Sequence, residues 1–200
     1  MTLFKSRINV LERMKKQGFS TQESQNCSIG EMQTLFDEKQ MDMMFTLPEK
    51  RCYVKYFVTE NLKPVKIEEI VEDLYHGESV LLNGIKDSIL IIVKDEVNDT
   101  IQTFLRQLYE REGIFVIVES LPYLQFNILD HCLVHPHFVL TDEEKQTIMV
   151  THNVISDDQF PEINRFDPIS RAIGLRPGQL CRILRSSPTS IQSDYFRVCI

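Results

Sequence analysis

Residues 88–93 read SILIIV, and this unbroken apolar, β-branched run limits the possible folds more than any other stretch of the chain. A strand with one wet face alternates apolar and polar side chains; a strand without alternation must be covered on both faces. A second such run, IFVIV, follows at 114–118. Between them lies DTIQTFLRQLYEREG (99–113), with apolar residues at helical spacing and a glycine at its end. Strand, helix and strand on short links is the pattern of a right-handed crossover between parallel strands. The chain must therefore contain an α/β layer.

The flanking segments extend that layer. LFKSRINVLERMKKQ (3–17) is read as a first helix with Phe4, Ile8, Leu11 and Met14 inward and Gly18 as its left-handed cap. A second helix is expected over 28–39, with Ile29, Met32, Leu35 and Phe36 inward. MDMMFTL (41–47) and RCYVKYFV (51–58), separated by Pro48-Glu49-Lys50, read as a hairpin. PVKIEEIVEDLYHG (64–77) opens with proline and closes with glycine, as helices do. The expected first domain is α/β with a mixed sheet over residues 1–130.

A small α+β domain is expected over 131–200. Thr141-Asp142-Glu143-Glu144 is a capping box that starts a helix running to about Thr151. A short helix follows from Asp167, with Pro168 at its first position and Gly174 past its end. Arg176-Pro177-Gly178 is a turn. QLCRILR then alternates Leu180, Arg182 and Leu184 against Cys181, Ile183 and Arg185, and YFRVCI supplies a partner strand.

Charge divides the chain. Residues 163–200 hold six arginines (Arg165, Arg171, Arg176, Arg182, Arg185, Arg197), no lysine, and only Asp167 and Asp194 in opposition. That leaves 16 basic and 27 acidic residues to 1–162. Guanidinium matches carboxylate or phosphate two bonds at a time and desolvates more cheaply than ammonium. The arginine-rich end is thus read as a docking surface, for an acidic protein partner or for nucleic-acid phosphate. The strongly acidic remainder argues against the second. No apolar run approaches the ~18 residues of a membrane span, and the N-terminus lacks a signal peptide's apolar core, so an intracellular protein without membrane contact is expected. The five cysteines, without a C-x-x-C pair, read as free thiols.

No motif of nucleophilic, phosphate-binding or zinc-protease chemistry occurs, and seven glycines leave few backbone sites open enough to cradle a phosphate. Two alternatives rest on specific residues. A metal-dependent nuclease would use Asp87, Lys94 and Asp95. A zinc-binding regulator would use His131, Cys132, His135 and His137 from HCLVHPH, although Pro136 makes that segment extended and opens the spacing. The preferred reading has no catalytic residue, no metal and no cofactor.

Thr141-x-Glu143-Glu144-Lys145, Phe160-Pro161-x-Ile163, Asp167-Pro168-Ile169-x-Arg171, Gly174-Leu175-x-x-Gly178-Gln179, Ile183-x-Arg185, Ser187-Pro188-Thr189 and Phe196-Arg197-Val198 occur in that order. Over about 130–200 the chain thereby resembles the fifth-largest subunit shared by the eukaryotic nuclear RNA polymerases, whose C-terminal domain is like a small subunit of the archaeal RNA polymerase. Residues 1–127 resemble it more weakly, through Leu3-Phe4-Lys5-Ser6-Arg7, Gly18-Phe19 and the SILIIV strand. The resemblance implies an N-terminal jaw domain of restriction-endonuclease-like shape without catalytic residues, beside a C-terminal assembly domain. It implies docking on the largest polymerase subunit through Asp167, Pro168, Arg171, Gly174, Gly178, Gln179, Arg185 and Arg197, with the jaw beside downstream duplex DNA. A cellular version would work in the nucleus; a viral one in a cytoplasmic viral factory or the virion. Two departures resemble the drift of a protist or large-DNA-virus version. The family's T-A-G turn reads Thr189-Ser190-Ile191 here. Its T-P-S-A loop near DNA reads Asp95-Glu96-Val97-Asn98-Asp99, which would repel phosphate.

Overall fold

The SILIIV run is β3 (Ser88–Val93), the inner strand of a four-stranded sheet, and Ile89 through Val93 are all buried. The sheet also holds β1 (Met43–Thr46), β2 (Arg51–Phe57) and β4 (Phe115–Ser120), in the order β1-β2-β3-β4. β1 pairs antiparallel with β2 as the expected hairpin, whereas β2/β3 and β3/β4 are parallel. The parallel pairs are bridged by α3 (Pro64–Tyr75) and α4 (Asp99–Glu112); Gly113 caps α4 in the left-handed region at φ 72°. The computed structural model describes residues 2–21, 28–38, 40–48, 50–76, 81–82 and 86–200. Cys27, Lys39, Glu49 and the expected helix stop at Gly77 lie outside these. No described helix is long and apolar enough to cross a membrane.

The chain divides into two compact units, Met1–Phe126 and Asn127–Ile200. In the first, α1 (Thr2–Lys16) lays Val10, Leu11 and Met14 against Met43, Phe45, Cys52, Val54, Leu90 and Ile92 of the sheet. The buried stripe differs from the one expected. It runs through Arg7, Val10, Leu11 and Met14, and Ile8 remains 40% exposed. The helix is turned by one position because Arg7 and Arg13 are buried with partners. Arg7 Nη1 donates to the Met41 carbonyl at 3.3 Å, and Arg13 Nη1 meets Glu119 Oε1 at 3.1 Å. α2 (Ile29–Asp37) starts at a Ser28–Glu31 capping box but buries only Met32; Ile29 is exposed, against expectation.

The second unit is a sheet of order β5-β7-β8-β6, built from β5 (His137–Val139), β6 (Glu162–Ile163), β7 (Leu180–Ser187) and β8 (Ile191–Cys199). β5/β7 and β7/β8 are antiparallel; β6/β8 is parallel. α5 (Asp142–Thr151) begins with the expected Thr141–Glu144 box, and α6 (Pro168–Ile173) follows β6. Strand alternation separates two small cores. Cys181, Ile183 and Cys199 join Ile163 and Leu175 in one; Leu180 and Val198 join Phe160, Ile148 and Met149 in the other.

Candidate docking surface

Most of the residues that make up the Asp167-to-Gln179 string build α6 and tie it to the sheet. Asp167 Oδ1 accepts from the Ile169 N–H at 2.8 Å, satisfying a helix donor, and Pro168 occupies the first turn, where no N–H is needed. Gly174, at φ 68°, ends the helix with its N–H on the Arg171 carbonyl. Gly178 sits at φ 83°, where an L side chain is strained, and donates to the Cys199 carbonyl at 2.9 Å. The Gln179 side-chain oxygen accepts from the Arg176 N–H, while its carbonyl accepts from the Cys199 N–H. Lys145 Nζ reaches both the Gly178 carbonyl at 2.9 Å and Asp157 at 2.6 Å, fastening α5 to the same turn.

The arginines divide by use. Arg165 is buried, packed over the Phe166 ring. Arg182 Nε lies 2.8 Å from Asp194 across the hairpin, a half-exposed pair worth ~0–1 kcal/mol. Arg171 is half-buried on α6. Arg185 Cζ lies over the Tyr195 ring, 3.9 Å from its centroid, and Arg197 approaches the same ring at 5.5 Å while donating to the Glu162 carbonyl. Of the eight expected docking residues, the structure brings Arg185 and Arg197 together on one tyrosine. Asp167 and Arg185 both act on half-buried His137, whose pKa is lowered chiefly by burial. Tyr195 is the participant that sequence reasoning missed. Its signal was the two-residue spacing to Arg197, which puts both on one face of a strand.

The alternatives fare differently. Asp87 stands immediately before β3, its carboxylate accepting the Arg51 N–H at 2.7 Å, whereas Lys94 and Asp95 follow the other end. A six-residue strand separates them by about 20 Å, so one metal cannot engage both carboxylates. No group of three metal-ligating side chains converges among the described residues. His131 Nδ1 accepts from the Leu133 N–H instead, and His137 belongs to β5. Lys94, Asp95, Glu96 and Asn98 line an open cleft of about 130 Å³ with Glu60 and Asn61.

Residues 126–199 match the family model described as RNA polymerase Rpb5, C-terminal domain. The chain is 38% identical over 76 residues to the DNA-directed RNA polymerase subunit Rpo5 of Pyrococcus abyssi, covering 38% of this chain and 92% of that one. It is 27% identical over 206 residues to the DNA-directed RNA polymerase subunit 5-like protein 1 of Arabidopsis thaliana, covering 97% and 92%. It is 38% identical over 77 residues to the DNA-directed RNA polymerases I, II, and III subunit RPABC1 of Caenorhabditis elegans, covering 38% and 36%.

Proposed function

Because this chain belongs to the fifth-subunit family of DNA-directed RNA polymerases, we propose that it joins such an enzyme as a non-catalytic subunit, docked on the largest subunit through residues 127–200. The observation that carries this is a coincidence of extents: the matched segment, 126–199, is nearly the same as the separate compact unit 127–200. A docking module needs a rigid fold of its own and side chains held ready outside it. Two small cores, the Gly178–Gln179–Cys199 tie and the Arg185–Tyr195–Arg197 stack meet that need.

The first unit, with its mixed sheet, is proposed as the jaw beside the downstream duplex. Its loop at 95–99 carries Asp95, Glu96 and Asp99, and Tyr123 donates to Glu96 at 3.4 Å. Carboxylates there repel phosphate, so this loop steers or spaces DNA rather than holding it. In a cell the site of action is the nucleus; for a viral enzyme it is the viral factory or virion. The test is purification of the tagged chain from cells that also express the cognate polymerase subunits. Recovery of the largest subunit in stoichiometric amount is expected, and recovery of the tagged chain alone would refute the assignment.

A further inference from the structure

The β7–β8 hairpin outruns the strands beside it. β5 pairs with residues 181–183 and β6 with residues 198–199, whereas β7 and β8 remain paired out to Ser187 and Ile191. No described strand lies along the outer side of β8 between 191 and 197. The register shows which groups face that side. The Leu184 N–H donates to the Pro136 carbonyl and the Leu140 N–H to the Leu180 carbonyl, so even-numbered β7 residues bond away from β8. Odd-numbered pairs, Ile183 with Tyr195 and Arg185 with Ser193, therefore close the hairpin. On β8 the even-numbered Val198 and Ile200 donate outward, to Pro161 and Ile163. Asp194 and Phe196 follow the same alternation and turn their N–H and C=O groups to the bare side.

Exposed edges are ordinarily guarded by lysine, proline, bulges or inward charge. This one is not. Residues 186–193 read SSPTSIQS without a charge, and the proline belongs to the turn. Tyr195 and Arg197 share one face of β8, with Arg185 stacked over the same ring from β7. A guanidinium flattened on a ring keeps its N–H edge available for a carboxylate. We propose that the β8 edge from Gln192 to Phe196 receives an extended acidic segment of a partner chain as an added strand, with carboxylates on alternate residues meeting Arg197 and Arg185. Main-chain bonds then supply affinity and the arginines specificity.

This inference rests on the polymerase assignment, and the test separates the two. Hydrogen exchange is measured on the isolated chain and on the chain assembled with co-expressed polymerase subunits. Amides of Asp194 and Phe196 should exchange rapidly in the first and be protected in the second; equal rates in both overturn the edge site. A variant gives a second reading. Asp194→Pro removes an outward N–H and no hairpin bond, so its circular dichroism should match that of Asp194→Ala. Its recovery with the polymerase should fall about tenfold against Asp194→Ala, the effect of losing one strand bond and placing a ring against the added chain. Equal recovery again overturns the inference while leaving membership of the enzyme intact; failure of the wild-type chain to co-purify sinks the assignment itself. Arg185→Ala with Arg197→Ala should abolish most of the salt sensitivity of assembly, and unchanged salt dependence would show the added segment not to be acidic.

Discussion

Ile191 occupies the position where a glycine would be expected to turn the chain. Its φ is 60°, it is 86% exposed, and it closes the three-residue link between Ser187 and its own strand. For a β-branched residue this region is strained, by ~1–3 kcal/mol, and no burial repays it. The loop holds its shape because Ser187 Oγ accepts from the Thr189 and Ser190 N–H groups. The turn at Thr189-Ser190-Ile191 thus runs through a left-handed residue without a glycine. Ile191→Gly is expected to stabilise the protein by about 0.5–1 kcal/mol, less than the strain because glycine also gains freedom in the unfolded chain. Urea unfolding measures this, and Ile191→Val, equally branched, should show no gain.

Between elements, a buried ion pair in the first unit joins α1 to β4. Arg13 and Glu119 are 4% and 2% exposed at the side chain. Removing one member of such a pair strands the other away from water, and Arg13→Ala should cost ~3–5 kcal/mol in denaturant unfolding. Arg13→Met with Glu119→Leu should recover most of that loss, since two apolar groups of similar size leave no charge behind. This pair also marks the limit of what could be read from sequence. The strands at 43–46, 51–57 and 88–93, the crossover helices and the Thr141 box were all legible, because alternation, continuous apolar runs and caps are local signals. A buried arginine is not local: its partner lies 106 residues away, and without it the helix face was assigned one position off. In the second unit, β6 has only two residues and no periodicity to read. The Arg185–Tyr195 stack was half visible: both alternations could be read, but their register depended on the turn at 188–190.

Over the whole molecule, the buried thiols and phenols should titrate one way at alkaline pH. Burial pushes the Cys181 thiol up to about 11 and Cys199 to about 12, from an ordinary value of 9.0, and burial likewise lifts Tyr56 to about 12 from 10.0. A raised acid is neutral in the folded state at pH values where the unfolded chain has already lost its proton. The stability these thiols contribute is therefore intact below pH 9 and declines as pH rises from about 9 toward the folded values. The urea midpoint should fall between pH 8 and 11, and Cys181→Ala with Cys199→Ala should flatten the fall though starting lower. Below pH 8 a thiol reagent should label exposed Cys132 and spare both. Strand pairs also differ in how far apart along the chain their partners lie. β7 and β8 meet across three residues, whereas β2 must wait for β3 from Phe57 to Ser88. Short closures are fast and long ones slow, so the β7–β8 ribbon forms before the long-range pairs of either sheet. During refolding from denaturant the ribbon would be ready first, its open side awaiting company before the parallel sheet upstream has closed.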